Sequence, residues 1–423
     1  MNTLIEKLRF IITDKVLRKR IFITLVILVL FRLLSIIPIP GIDTSRLSSF
    51  FAGNQLLGLL NVFSGGSLSQ LSIVMLGVGP YITASIIMQL LTLIFPRIKQ
   101  MYQEEGMSGR MKFAQYSRML SVPLAVIQAF SFLTLLERQG VINALDPLSI
   151  AINILIVTAG SILLMWMGER ISEFGIGNGL SLIIFAGIVA QLPLTLTQLA
   201  YTFDPSQLPV YIAIFIASLV VIYLVVVITE AERPIPVTYA KRIRGNKVFG
   251  GVSTYLPLRL NQSGVIPIIF ALSLLVFPQI IFQFLARIGN PTIQSASNWV
   301  NATLQNQWVY GSLYFILVFA FTYFYTAVTF DPQQLSTNLQ KNGAFIPGVR
   351  PGQSTALHIS HILTRLTAFG ALFLGVIAVL PIIVQGLTGI QALTVGGTAL
   401  LIVVSVIIDL IKKLEAQVSM KEY

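Results

Sequence analysis

The sequence predicts an all-α polytopic membrane protein, with ten transmembrane helices in two inverted five-helix halves. Composition is the first reason. Of 423 residues, 55% are hydrophobic and 10% are charged, against roughly 25% charged in a soluble globular domain. Mean hydropathy is +0.83. Such a chain has too few polar side chains to cover itself in water, so its solvent is a bilayer. Second, apolar runs of spanning length recur along the chain. Third, the basic residues are distributed between those runs so as to fix one orientation.

A spanning helix takes about 20 mainly apolar residues. Ten stretches qualify, near 21–37, 73–95, 116–136, 148–167, 180–200, 208–229, 264–286, 308–330, 364–385 and 391–411. Turn formers and charges separate them, among them Pro38 to Gly41, Asp146-Pro147, Asp204-Pro205 and Gly386 to Gly389. The first run is long and lacks a small-residue cleavage site, so it reads as a retained span. No polar stretch is long enough to fold as a soluble domain. Because five is odd, an N-terminal half at 1–200 and a C-terminal half at 201–423 would be inverted relative to each other. Channels and transporters often place their path between such halves.

With the N-terminus inside, 24 of the 28 lysines and arginines fall in cytoplasmic segments. Three, Arg46, Arg138 and Arg287, fall outside, and Arg32 lies within the first span. The positive-inside rule then places both termini in the cytoplasm. The net charge of +12 is mainly a topology signal, which removes the case for a nucleic-acid-binding protein. Two cytoplasmic loops are notably basic. One, 230–263, holds Lys241, Arg242, Arg244 and Lys247; the other, 331–363, holds Lys341, Arg350 and the turn-rich Pro347–Gly352. Such loops attract acidic partners such as ribosomal RNA or anionic lipids, and plain positive-inside charge accounts for them equally well.

Residues 54–72 do not fit a span. The run is apolar but broken by Ser64-Gly65-Gly66-Ser67. Broken backbone at membrane depth survives only inside protein or beside water. A short re-entrant helix and a surface loop helix both satisfy this segment.

Little in the chain supports catalysis. There is no cysteine and there are two histidines, so disulfides and cysteine-ligated metals are excluded and no cofactor is expected. His358 and His361 share a possible helix face, but no carboxylate cluster accompanies them. Apart from Arg118 and Arg365 at the cytoplasmic edges of their stretches, the charged residues within spans are Arg32 and Asp409, and no span holds a carboxylate pair. Gly175-Ile176-Gly177-Asn178-Gly179 lacks the phosphate-loop spacing and follows a span instead of a strand; it reads as a flexible turn. An intramembrane enzyme would need a nucleophile and base at one depth, and a solute transporter a polar midplane site. The helix midpoints are aliphatic instead, a lining able to close a pore by dewetting.

An ordered series of motifs carries a family resemblance. It runs Ile37-Pro38-Ile39-Pro40-Gly41, Phe63-Ser64-Gly65-Gly66, Gly79-Pro80-Tyr81-Ile82-Thr83-Ala84-Ser85-Ile86, Gly106-Met107-Ser108-Gly109-Arg110 and Gly175 to Gly179. It continues with Tyr239-Ala240-Lys241-Arg242, Leu256-Pro257-Leu258-Arg259, Gly264-Val265-Ile266-Pro267, Gly343 to Gly352 and Gly396-Gly397-Thr398. In this order, over nearly the whole chain, the series resembles the bacterial-type SecY family of Sec translocon channel subunits.

The resemblance implies a protein-conducting channel and no enzyme. It implies an hourglass whose waist is an aliphatic ring, here Val78, Ile82, Leu180, Ile184, Ile269 and Ile402. Val78 and Leu180 depart from the family's usual isoleucine. Residues 54–72, with Phe63, Ser64, Gly65 and Gly66, correspond to the plug that closes the outer funnel. Gln89 and Asn178 match polar positions near the lateral gate, where signal sequences and membrane helices leave for lipid. Lys241, Arg242, Arg244 and Arg350 match docking positions for the SecA ATPase and the ribosome. Further implied partners are SecE- and SecG-like small membrane subunits, signal peptides, nascent chains and anionic lipids, in the cell inner membrane or a thylakoid. Each of these assignments is an expectation.

Overall fold

A computed structural model describes residues 13–40, 61, 64–103, 105–138, 140, 142, 146–201, 205, 208–239, 242–244, 247–249, 253–285, 291–388 and 392–422. The chain is mostly helical. The helices are α1 (Lys15–Leu34), α2 (Gly79–Ile94), α3 (Pro96–Gln103), α4 (Gly106–Arg138), α5 (Pro147–Phe174), α6 (Gly179–Tyr201), α7 (Leu208–Glu230), α8 (Ile266–Leu285), α9 (Pro291–Gln305), α10 (Gln307–Thr329), α11 (Pro332–Lys341), α12 (Gln353–Thr388) and α13 (Ala392–Glu422). Five short strands interrupt them: β1 (Glu232–Tyr239), β2 (Arg242–Arg244), β3 (Lys247–Phe249), β4 (Ser253–Arg259) and β5 (Ala344–Phe345).

Each of the ten apolar stretches falls on one of these helices: α1, α2, α4, α5, α6, α7, α8, α10, α12 and α13. Among the described residues, five helices are long and apolar enough to cross a membrane, namely α4, α5, α7, α10 and α12. A sixth is added if α2 and α3, bent by 112° at their junction, form one broken span. Several helices outrun the apolar stretch that marks them. The 36 residues of α12, at about 1.5 Å each, reach roughly 54 Å, well beyond a hydrocarbon core of about 30 Å. Prolines at 123, 193, 278 and 381 lie inside helices, as spanning helices tolerate.

Chain contacts divide the molecule into two units. The first comprises Met1–Ile214, Leu272–Tyr310 and Pro381–Tyr423. Asp14 caps α1, accepting from the Val16 and Leu17 amides. Within this unit α1 packs on α5 and α6, α4 packs on α2 and α5, and α13 packs on α6. One core cluster ties the segment after α1 to the bundle, joining Ile39, Leu68, Leu71 and Met75 to Leu133 and Leu136 of α4 and Val157 of α5. The helix faces turned outward are apolar; Phe22, Leu25, Val29 and Leu33 of α1 are exposed. A row of bare apolar side chains that long is what lipid covers.

The second unit comprises Phe215–Ala271 and Gly311–Leu380. Here β1 pairs antiparallel with β4, and β5 adds to the other edge of β1, giving the order β4-β1-β5. Pro234 stands opposite Pro257, and Pro236 opposite Tyr255. Neither member of a Pro–Pro pair donates an amide, so these must be the non-hydrogen-bonded positions of the ladder, where a proline removes no bond between the two strands. Ile235, Val237 and Leu258 point inward and bury against Ala344, Ile346, Ile359 and Ile362. Strands β1 and β4 of one loop and β5 and the start of α12 from the other are therefore one folded layer, and their apolar side chains form its core.

Candidate functional site

The first unit holds the broken segment. Of the expected plug at 54–72, residues 54–60, 62 and Phe63 lie outside the described residues. Residues 64–70 are turns, and Pro38 and Ser72 form an antiparallel bridge. The turns knit themselves together. The Asn61 carbonyl accepts from the Gly66 amide at 2.8 Å and from Ser64 Oγ at 3.0 Å. Asn61 Oδ1 accepts from the Ser69 amide at 2.8 Å, and Ser64 Oγ from the Leu68 amide at 3.1 Å. Leu71 takes a left-handed φ of 43°, a strained choice for a branched side chain, held by complete burial.

Neighbouring helices grip this knot closely. Gly65 has φ +72°, and a Cβ there would lie 2.7 Å from the Cα of Gly187 on α6. Gln191 of α6 donates to the Asn61 carbonyl at 3.1 Å. Arg32 Nη1 of α1 donates to the Gly65 carbonyl at 2.9 Å. Further along, Ser161 of α5 donates to the Gly77 carbonyl at 3.0 Å, and a Cβ at Gly160 would strike the Ile73 carbonyl.

Most of the expected ring residues sit near helix starts; Ile402 lies inside α13. Val78 is the residue before α2 and accepts the Ile82 amide one turn on. Val78 is buried and Ile82 half-buried. Leu180 and Ile184 are one turn apart at the start of α6; Ile184 is buried, and Leu180 lies partly buried against Gly168 of α5. Ile402 of α13 is fully buried. Ile269, buried on α8, belongs to the second unit.

Of the two gate positions, Gln89 is half-buried, and its Oε1 is enclosed with no hydrogen-bond partner among the described residues. Asn178 is exposed and caps α6, its Oδ1 accepting the Leu180 and Ser181 amides at 3.1 and 3.3 Å. The turn around it is tightly packed where a flexible one was expected. A Cβ at Gly179 would fall on the Gly168 carbonyl, and one at Gly175 would strike Thr24 Oγ1. The glycines there permit close helix approach, and Ser172 Oγ accepts the Gly179 amide at 2.8 Å to lock it.

The basic positions lie in the second unit. Arg242 and Arg244 are on β2, which pairs with β3, and Lys241 lies outside the described residues. Arg350 is exposed on a turn whose backbone is tied down. The Thr355 hydroxyl donates to the Arg350 carbonyl at 2.9 Å, and the Ser336 hydroxyl of α11 to the Gly352 carbonyl at 2.6 Å. The guanidinium is thus free to meet a partner while its backbone is fixed.

Some charges have local partners that the sequence did not reveal. Asp409 pairs with Lys413 one turn on, at 2.7 Å. Arg118 of α4 pairs with Glu169 of α5 at 2.6 Å, a contact with no signal in their spacing. Arg32 was visible as a charge within a span, but not its partner. Among the described residues no cluster of three His, Asp or Glu side chains is placed to hold a metal ion.

The fold and its exposed apolar faces define the class: an α-helical membrane protein with a polar-backbone knot packed among its helices. The SecY family model matches residues 72–411, and this chain belongs to that family. It is similar to protein translocase subunit SecY of Corynebacterium glutamicum, 41% identical over 97% of each chain. The Thermus thermophilus and Synechococcus elongatus subunits are also 41% identical, covering 96% of this chain and 94% and 93% of theirs. Among solved structures, one described as the structure of a protein conducting channel aligns with a TM-score of 0.66 at 22% identity, covering 98% of this chain and 97% of its own. Sec61 in a canine ribosome-channel complex aligns at 0.61 and 20%, with the same coverage. These two show the likeness of fold.

Proposed function

We propose that the chain is a protein-conducting channel. It passes unfolded secretory proteins across the membrane and releases transmembrane segments sideways into lipid. It spans the inner or thylakoid membrane ten times, in two inverted halves with both termini in the cytoplasm, and itself catalyses no reaction. The observation that carries this reading is membership of the SecY family over most of the length. Relatives of that name are translocase subunits, and one similar structure bears a plug described as maintaining a membrane seal.

In this reading Val78, Ile82, Leu180, Ile184, Ile269 and Ile402 form the waist. Flexible aliphatic side chains bind no particular passenger and strand no polar group. Burial alone is common to a waist and to ordinary helix packing, so the assignment rests on position within the family motifs. The segment containing Phe63 to Gly66 is the plug. Gln89, with its enclosed and unmatched amide oxygen, and Asn178 lie at the lateral gate. An unpaired buried polar atom costs about 1–3 kcal/mol, a penalty that gate opening would relieve.

Lys241, Arg242, Arg244 and Arg350 receive SecA or the ribosome. One similar structure is a ribosome-channel complex, and a basic, rigidly held turn suits an acidic partner. SecE- and SecG-like subunits and anionic lipids complete the assembly. A secretory chain stalled in transit should crosslink to a photoreactive residue at position 82. Crosslinking only at lipid-facing positions such as 22 and 25 would sink the channel reading.

A further inference from the structure

A guanidinium within a spanning helix is costly unless its donors are met. Arg32 stands in the last turn of α1, half-buried. An arginine serving only the helix end would stay with the carbonyls of its own last turn. Instead Nη1 crosses to the Gly65 carbonyl, 33 residues on, at 2.9 Å, with a longer bond to Ser35 Oγ at 3.3 Å. Ser35 is buried and donates back to the Arg32 carbonyl at 2.7 Å, which steadies the side chain. The receiving residue is tightly placed. Gly65 touches Gly187, and the Phe31 ring end lies 3.0 Å from where its Cβ would be.

Among the described residues, Asn61 and 64–70 are knit largely by bonds of their own, which makes the Gly65 turn stiff, while Leu68 and Leu71 at its far end are fixed in the core with α4 and α5. Among the described residues of 61–67, the side-chain hydrogen bonds from neighbouring helices come from Arg32 and from Gln191. Gln191 is neutral, whereas a charged donor makes a bond roughly twice as strong. We propose that Arg32 is the positioning residue that pins the Gly65 turn against α1 and α6, so that this turn moves off them only when this bond breaks. This deepens the channel reading and rests on it. The pin suits a reversible seal: a single strong bond to a backbone carbonyl holds whatever side chains the segment carries, and no ion pair has to be separated in the membrane.

The cysteine-free chain allows a direct test. Ser67, fully buried, is replaced by S67C in the assembled membrane complex. Labelling at position 67 by a membrane-impermeant maleimide from the outer side is measured with ion conductance in planar bilayers. Arg32→Met should speed labelling about tenfold, the effect of losing one charge-assisted bond, and raise resting conductance. Arg32→Lys, which keeps a charged donor, should restore much of both. Wild-type labelling and conductance in Arg32→Met would overturn the pin. If Arg32→Met does not accumulate, Ser35→Ala decides, since it removes only the second anchor: faster labelling supports the pin and an unchanged rate overturns it. Export of a signal-bearing reporter by the wild-type complex is measured alongside. Its absence would strike the channel reading itself, while normal export with an unmoved position 67 would strike only the pin.

Discussion

At the scale of single residues, chemistry here is mostly the management of backbone carbonyls and apolar surface. Arg32, Gln191 and Ser161 donate across long stretches of sequence to main-chain oxygens of residues 61–77. The Gly65 and Gly77 oxygens belong to turns, and side chains meet them in a medium without water. The proposed waist works by the opposite means, offering no hydrogen bond to anything that passes. Replacing Ile82 and Ile184 together with serine keeps side chains small enough to pack but lets water wet the constriction. Resting ion conductance in planar bilayers is expected to rise several-fold, by the dewetting argument. An unchanged conductance would argue that neither residue lines a constriction.

At the scale of elements, two loops that read as separate basic excursions each contribute strands to one sheet, β4-β1-β5. Val237 and Leu258 on the hairpin and Ile359 on α12 share a core, and the turn holding Arg350 hangs from it. Ile359 is completely buried. Ile359→Ala should cost about 2–5 kcal/mol of local stability, as aliphatic truncations in cores do. Limited proteolysis would then cut the 230–263 and 331–363 segments sooner, and export should fall in the same direction as in an Arg350→Glu variant that still inserts. Loops cut no faster than in wild type would show that the sheet is held by other contacts. The prolines hid this sheet from the sequence. Pro234, Pro236 and Pro257 demote a strand in any reading by pattern, and only the register shows them at positions where no interstrand bond is lost.

At the scale of the whole molecule, the distribution of lysine and arginine predicts the orientation. Single-cysteine variants of this cysteine-free chain make that measurable. Lys341→Cys should react with an impermeant thiol reagent from the cytoplasmic side alone, and Trp299→Cys, exposed on α9, from the outer side alone. The reverse pattern would refute the orientation. Much of the helical frame was legible in advance, because each predicted stretch overlies a helix. Helix ends were read less well. The structure begins α2 at Gly79 and not near residue 73, since Gly77 with φ 59° and the turns before it halt the helix. It carries α12 and α13 far past the apolar runs, where no membrane requires them to stop.

The sequence by itself determined the medium and the helices, because transfer from water to lipid is summed residue by residue along the chain. The ordered motifs also named the family. The tertiary structure decided what Arg32 holds, why Gly65, Gly168, Gly179 and Gly187 must lack side chains, and how two distant loops contribute strands to one sheet. Those outcomes depend on hydrogen bonds and close approaches between residues far apart in the chain, and their spacing leaves no periodic trace.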